Sequence, residues 1–230
     1  MTERLITIRP EPGGSATVAA GRELGLTIEA WPLFEVRPLA WDAPPADAID
    51  GLLIGSANAI RQAGPALAAF RDKPVHAVGE ATARAVEAAG FAVQTVGPGV
   101  LQPLVDGLPP PLRLLRLTGA EHVPVAPPPG IEIETRVGYE SAAMPLSEDA
   151  AAHLREGALV LLHSAVAARH LAAECDRVGI ARGGIRLAAL GPRIAAAAGE
   201  GWGEVRSAAE PSEAGVLSLA RQMCHERPPA

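Results

Sequence analysis

The chain has 230 residues, 48% hydrophobic, 20% charged and 3% aromatic, which is apolar material for one large or two small globular domains. Its 24 glycines and 22 prolines are spread between periodic segments, so the chain reads as turn-rich and folded rather than low-complexity. The net charge of -6, with no block of like charge, excludes the basic face that phosphate-backbone binding needs, and no nucleic-acid partner is expected.

Apolar runs ending in Gly or Ser and followed by alanine-rich helical periodicity recur along nearly the whole chain, the βα rhythm of a parallel sheet. Leu5-Ile6-Thr7-Ile8 predicts a strand, 14–24 a helix that Gly25 ends, and 27–36 an extended segment. Next, 51–56 predicts a strand opening a helix near Asn58, 74–79 a strand opening a helix over 81–89, and 91–96 a further strand. A strand over 113–118, a proline-rich loop over 123–130 and a strand over 131–140 follow. In the second half, 158–164 and 186–191 each enter a helix, Gly199 stops the second, and 204–206 is extended.

That second run parallels 51–96: strand–Ser–helix, strand–Gly–helix, glycine stop, strand. The repetition predicts an internal duplication and two similar α/β domains with parallel sheets. The N-terminal βαβ unit belongs most economically with the C-terminal half. One domain then comprises 1–36 and 142–230, a second over 40–137 is inserted into it, and the crossing strands lie near 31–38 and 136–144.

The common routes to nucleotide chemistry are missing. The single lysine, Lys73, follows Asp72 rather than a glycine-rich turn, and no glycine spacing fits G-x-G-x-x-G. Cys175 and Cys224 lack a C-x-x-C partner, and the 6 histidines show no paired metal spacing, so no metal or cofactor is expected. Gly55-Ser56-Ala57-Asn58 lacks the second glycine of a nucleophile elbow, and Cys175 with His170 reads as packing. No apolar run approaches a membrane span and 1–10 lacks a signal-peptide core, so a reduced, cytoplasmic protein without membrane contact is expected.

In an open parallel sheet, ligands collect at the carboxyl ends of the strands, where helix N-termini present free N–H groups and a partial positive charge. Here those ends are small and polar: Arg9-Pro10, Ser56-Ala57-Asn58, Gly79-Glu80-Ala81-Thr82, Thr118-Gly119, Ser164-Ala165, Gly191-Pro192-Arg193 and Pro211-Ser212-Glu213. Taken singly, Ser56, Ser164 and Ser212 read as helix N-caps. Repeated in two domains, such rims suit an anionic ligand despite the acidic composition. Tyr139, the sole tyrosine, follows the strand 131–138, where the second domain is expected to cross back to the first.

Thr7-Ile8-Arg9-Pro10, the run 50–59, the run 77–83, Val137-Gly138-Tyr139-Glu140-Ser141 and the run 209–214, in this order and spacing, resemble the uroporphyrinogen-III synthase family over essentially the whole chain. The resemblance implies two flavodoxin-like α/β domains, one inserted into the other and joined by a two-stranded β linker. It implies a monomeric, cofactor-independent lyase of haem biosynthesis that cyclises and dehydrates hydroxymethylbilane, an octacarboxylate, inverting the last pyrrole through a spiro intermediate. Tyr139 stands at the position of the family's functional tyrosine, with the role of an acid for the departing hydroxyl. Arg9, Ser56, Asn58, Thr82, Ser164, Arg193 and Ser212 are the expected carboxylate contacts. The stretch 117–122 lacks the arginines many members carry after its glycine, leaving His122 as partial substitute, and Arg193 stands where a threonine pair is common. The rival expectation is a cytosolic two-lobed sensor module for an anionic small molecule.

Overall fold

The structure, a computed structural model, describes residues 4–226. Its Cα packing divides the chain into two compact units, Met1–Glu35 with Ala143–Ala230, and Val36–Ala142.

The discontinuous unit is built on a sheet of β1 (Arg4–Thr7), β2 (Ile28–Ala30), β9 (Ala158–Leu162), β10 (Ile185–Ala189) and β11 (Glu204–Ser207), in the order β11-β10-β9-β1-β2. All neighbours run parallel, with Leu5 opposite Leu159 and Leu187 opposite Val160. The central strand β9, Ala-Leu-Val-Leu-Leu, is buried at every position because both of its faces are covered. Val160 and Leu162 join a cluster with Leu154, Leu171 and Cys175 from α5 (Glu148–Arg155) and α6 (Ala165–Arg177). Leu159 and Leu161 join Val216, Leu217, Ala220 and Met223 of α8 (Glu213–His225) on the other face. The period-two alternation of a strand thus serves two apolar layers at once. Helices α1 (Gly13–Glu23) and α7 (Pro192–Ala197) complete the unit.

The continuous unit carries a sheet ordered β3-β8-β7-β4-β5-β6, from β3 (Phe34–Pro38), β4 (Gly51–Ile54), β5 (Val75–Ala77), β6 (Val93–Val96), β7 (Leu112–Gly119) and β8 (Ile131–Ala143). From β8 to β6 the neighbours are parallel. Against β3 the pairing is antiparallel, since Leu39 N–H donates to Gly138 C=O and Met144 N–H to Leu33 C=O, each at 2.9 Å. Leu52, Ile54, Phe70, Leu115 and Leu117 form one core, and Leu53, Leu104, Val105 and Leu114 the other. Helices α2 (Ala57–Gln62), α3 (Glu80–Ala88) and α4 (Leu101–Asp106) cover the faces. The crossover from β7 to β8 has no helix, because Pro124, Pro127, Pro128 and Pro129 lack the amide donors one requires.

Read from one edge, β11-β10-β9-β1-β2 corresponds to β6-β5-β4-β7-β8. The two sheets thus share a strand order in which β1 takes the place that β7 holds in the other. The extended segment 27–36 differs from expectation: it is broken into β2 and β3, with Pro32, which has no N–H, in the gap.

Candidate functional site

Strand β7 leaves the core as Leu-Arg-Leu-Thr-Gly, and its alternation puts Leu115 and Leu117 in one core while Arg116 and Thr118 share the other face. Beyond the carboxyl ends of β4 and β7 lies a pocket of about 410 Å³ lined by Ser56, Gln102, Arg116, Thr118, His122 and Tyr139, among others. Ser56 caps α2, its Oγ accepting from Asn58 N–H at 3.2 Å. His122 Nδ1 sits 2.9 Å from the Gly119 carbonyl oxygen.

Tyr139 reaches the pocket through an irregularity. Thr118 pairs with Val137 but Gly119 with Tyr139, so Gly138 is an extra residue that bulges β8. Both glycines are required by close approach: a Cβ on Gly138 would lie 2.8 Å from Leu117 Cδ1, and one on Gly119 would lie 2.8 Å from Cε2 and Cζ of Tyr139. The Tyr139 ring therefore packs against bare backbone, half-buried beside the Leu115 core. Among the described residues its hydroxyl has no hydrogen-bond partner.

Arg116 went unnoticed in the sequence, where it reads as one charge in an apolar strand; the signal was its parity, opposite to its leucine neighbours. It is 5% exposed. One Nη donates to Val123 C=O at 2.8 Å, Nε donates to no described protein atom, and burial pushes its pKa down.

At the corresponding rim of the other unit, Arg9 is already engaged. Its Nη1 donates to Glu213 Oε2 at 2.6 Å and to Thr17 Oγ1 at 3.0 Å, Thr17 Oγ1 donates to Glu213 Oε1 at 2.7 Å, and His163 Nε2 lies 3.3 Å from Oε2. Burial alone would push the Glu213 carboxyl up, but the His163 ring beside it, the hydrogen bond from Thr17 and the charge of Arg9 bring it to about 2. Arg9, expected as a carboxylate contact, is thus paired with a carboxylate of the protein itself. Ser164 and Ser212 cap α6 and α8, accepting from Ala167 N–H at 3.1 Å and Gly215 N–H at 3.0 Å. Arg193 is exposed, has no ion pair among the described residues, and lines a second pocket of about 410 Å³ with Gly191, Pro192 and Pro211.

The structure thus brings Ser56 and Tyr139 to one pocket and places Arg193 at another. Asn58 and Thr82 line neither, and Thr82, in α3, is 6% exposed. Cys175 is fully buried and its thiol is pushed up to about 11 by desolvation, an unreactive core group, while His170 bonds to Met144 C=O at 2.7 Å. No helix among the described residues is long and apolar enough to cross a membrane.

A family model described as uroporphyrinogen-III synthase HemD matches residues 15–218. Among solved structures, uroporphyrinogen-III synthetase from Helicobacter pylori 26695 is 18% identical with a TM-score of 0.67, over 96% of this chain and 99% of that one. A mutant uroporphyrinogen III synthase from Thermus thermophilus is 17% identical with a TM-score of 0.46, over 97% and 99%. No curated protein matches. The Helicobacter likeness is one of fold, an α/β architecture with parallel and mixed sheets.

Proposed function

The chain belongs to the uroporphyrinogen-III synthase family, and we propose that it performs the family's reaction with Tyr139 as the acid that assists departure of the substrate hydroxyl. That reaction, in haem biosynthesis, is a cofactor-independent cyclising lyase step. Hydroxymethylbilane loses its terminal hydroxyl as water, and the last pyrrole is inverted on closure to uroporphyrinogen III. The proton leaving Tyr139 ends on that water, and the pyrrole proton released on closure restores the phenol, so the protein is unchanged at the end of the cycle. A single observation carries the role of Tyr139: a hydroxyl without a hydrogen-bond partner among the described residues, held at a pocket rim by a bulge and a bare glycine. An acid that must meet a substrate oxygen has to be free of internal hydrogen bonds in this way.

The substrate's carboxylates have candidate partners in each unit. Ser56 lines the pocket of the continuous unit, and Arg193, exposed and unpaired among the described residues, that of the other. Ser164 and Ser212 sit at the first turns of two thirteen-residue helices, whose N–H dipoles favour anions. Asn58 and Thr82 stand in the first turns of α2 and α3 with their own N–H groups bonded to Ser56 Oγ and Gly79 C=O, and they contribute by holding those helix starts in place. Arg9 acts indirectly, by fixing Glu213.

We read the two compact units as flavodoxin-like domains, the continuous one inserted into the other, with β3 and β8 as the linker. The strand order β2-β1-β9-β10-β11 supports this, being the 2-1-3-4-5 order of that fold. A monomer is proposed because each buried cluster is completed within one chain, and a cytoplasmic setting because Cys175, in the core, is a reduced thiol.

The deciding experiment supplies hydroxymethylbilane and separates the uroporphyrinogen isomers. Isomer III formed faster than spontaneous closure is the expected result. Isomer I alone overturns the assignment.

A further inference from the structure

From the pocket of the continuous unit we infer that Arg116 is a specificity residue of this enzyme, a buried cation that receives one carboxylate of the substrate. The inference rests on the synthase reading of the site. Four observations converge on it. Arg116 lines the pocket that also holds Tyr139 and Ser56. It is 5% exposed, and no carboxylate pairs with it among the described residues, although Glu121 lies on the same pocket wall and is exposed. Its Nε is buried and donates to no described protein atom. Its hydrogen bond from one Nη to Val123 C=O fixes the plane of the guanidinium without neutralising it.

A buried cation without a counter-ion is costly to the folded protein, and arginine cannot escape that cost by losing its proton at neutral pH. The physical economy of such a group is that an anion arriving from outside completes it. A guanidinium offers a carboxylate a planar set of donors, and the low-dielectric pocket strengthens that contact. The stretch after Gly119 brings only His122 to the pocket as a basic residue, exposed and turned back onto the Gly119 carbonyl, so the pocket's guanidinium comes from the strand beneath.

The test separates ligand binding from scaffolding. Arg116→Met keeps length and packing while removing the charge. A binding arginine predicts a KM for hydroxymethylbilane raised by about tenfold to a hundredfold, since charge-assisted bonds are lost. It also predicts a melting temperature equal to or above that of wild type, since an unpaired buried charge has been removed. Arg116→Lys, which keeps the charge but not the fork, is expected to fold and to raise KM severalfold with kcat within about twofold of wild type. The inference is overturned if folded Arg116→Met retains a KM within about twofold of wild type. It is equally overturned if Arg116→Lys matches wild type in KM, an outcome that remains readable should the methionine variant not fold. Wild-type formation of isomer III is measured in the same assay, so failure of the synthase reading shows in the wild type and failure of the Arg116 inference only in the variants.

Discussion

The ring of Tyr139 rests on the one residue of its partner strand that has no side chain, and this contact turns a strand-end tyrosine into a positioned hydroxyl. Tyr139→Phe keeps the ring and removes the proton. Turnover to isomer III is expected to fall by about 10²–10⁴, with the melting temperature unchanged; a fall of less than about tenfold would make the residue a packing group. Gly119→Ala attacks the same contact from below, because the new Cβ would lie 2.8 Å from two ring atoms. The ring must tilt, and turnover should drop by at least about tenfold with the phenol intact. In the Tyr139→Phe background the alanine should cost little more activity, since the two changes disable one device; independent, additive losses would refute the shared mechanism. At this scale the sequence was legible where a residue was unique, as for the sole tyrosine. It was illegible where pairing spans the chain. Arg9 and Glu213 are 204 positions apart, and nothing local to Arg9 announces that a carboxylate already holds it.

Among the elements, the helix starts were the most readable parts, because capping is local chemistry: Ser56, Ser164 and Ser212 each accept a hydrogen bond from an N–H two or three residues on. Helices α4 and α5 were not foreseen. The first is a six-residue turn containing Pro103, the second an eight-residue segment with charges at both ends, and both are short. Glu174 on α6 ties its helix to the segment before α5. It takes two hydrogen bonds from Arg177, at 2.8 and 2.6 Å, and one at 2.6 Å from the N–H of Leu146, just before α5. The Arg177 hydrogen bond is the main cause that brings its carboxyl to about 2, against the opposing effect of burial. Glu213 is lowered to about 2 as well. A carboxyl depressed in the folded state stabilises fully above its ordinary value of 4.5 and loses that contribution as pH falls towards 2. The melting temperature should therefore drop steeply as pH falls from about 5 towards 2. Glu174→Gln should lower it at pH 7 and flatten that acid limb; an unchanged slope in this variant would mean the carboxylate is not the titrating group.

For the whole molecule, the repeat of strand, serine and helix was the sequence's most informative feature, because a duplicated βα rhythm constrains two sheets at once. The chain enters its first sheet at the position that β7 occupies in the second, and it completes that sheet only after residue 143. Local patterns cannot report such a late closure, since every strand of a parallel sheet looks alike to its own neighbours in sequence. If the continuous unit is an inserted domain, it should carry its own folding information. Both of its cores, that of Leu52, Ile54, Phe70 and Leu115 and that of Leu53, Leu104 and Leu114, draw only on residues between Val36 and Ala142. A fragment spanning 36–142 is therefore expected to melt cooperatively, with the far-ultraviolet signature of an α/β protein. It should form no isomer III from hydroxymethylbilane, because Arg193, Ser164 and Ser212 lie in the other unit. The discontinuous unit, whose β1 lies between its own β2 and the distant β9, should by contrast require both of its segments in one polypeptide. An unfolded 36–142 fragment would mean that its sheet depends on the flanking segments, and the insertion model would fall.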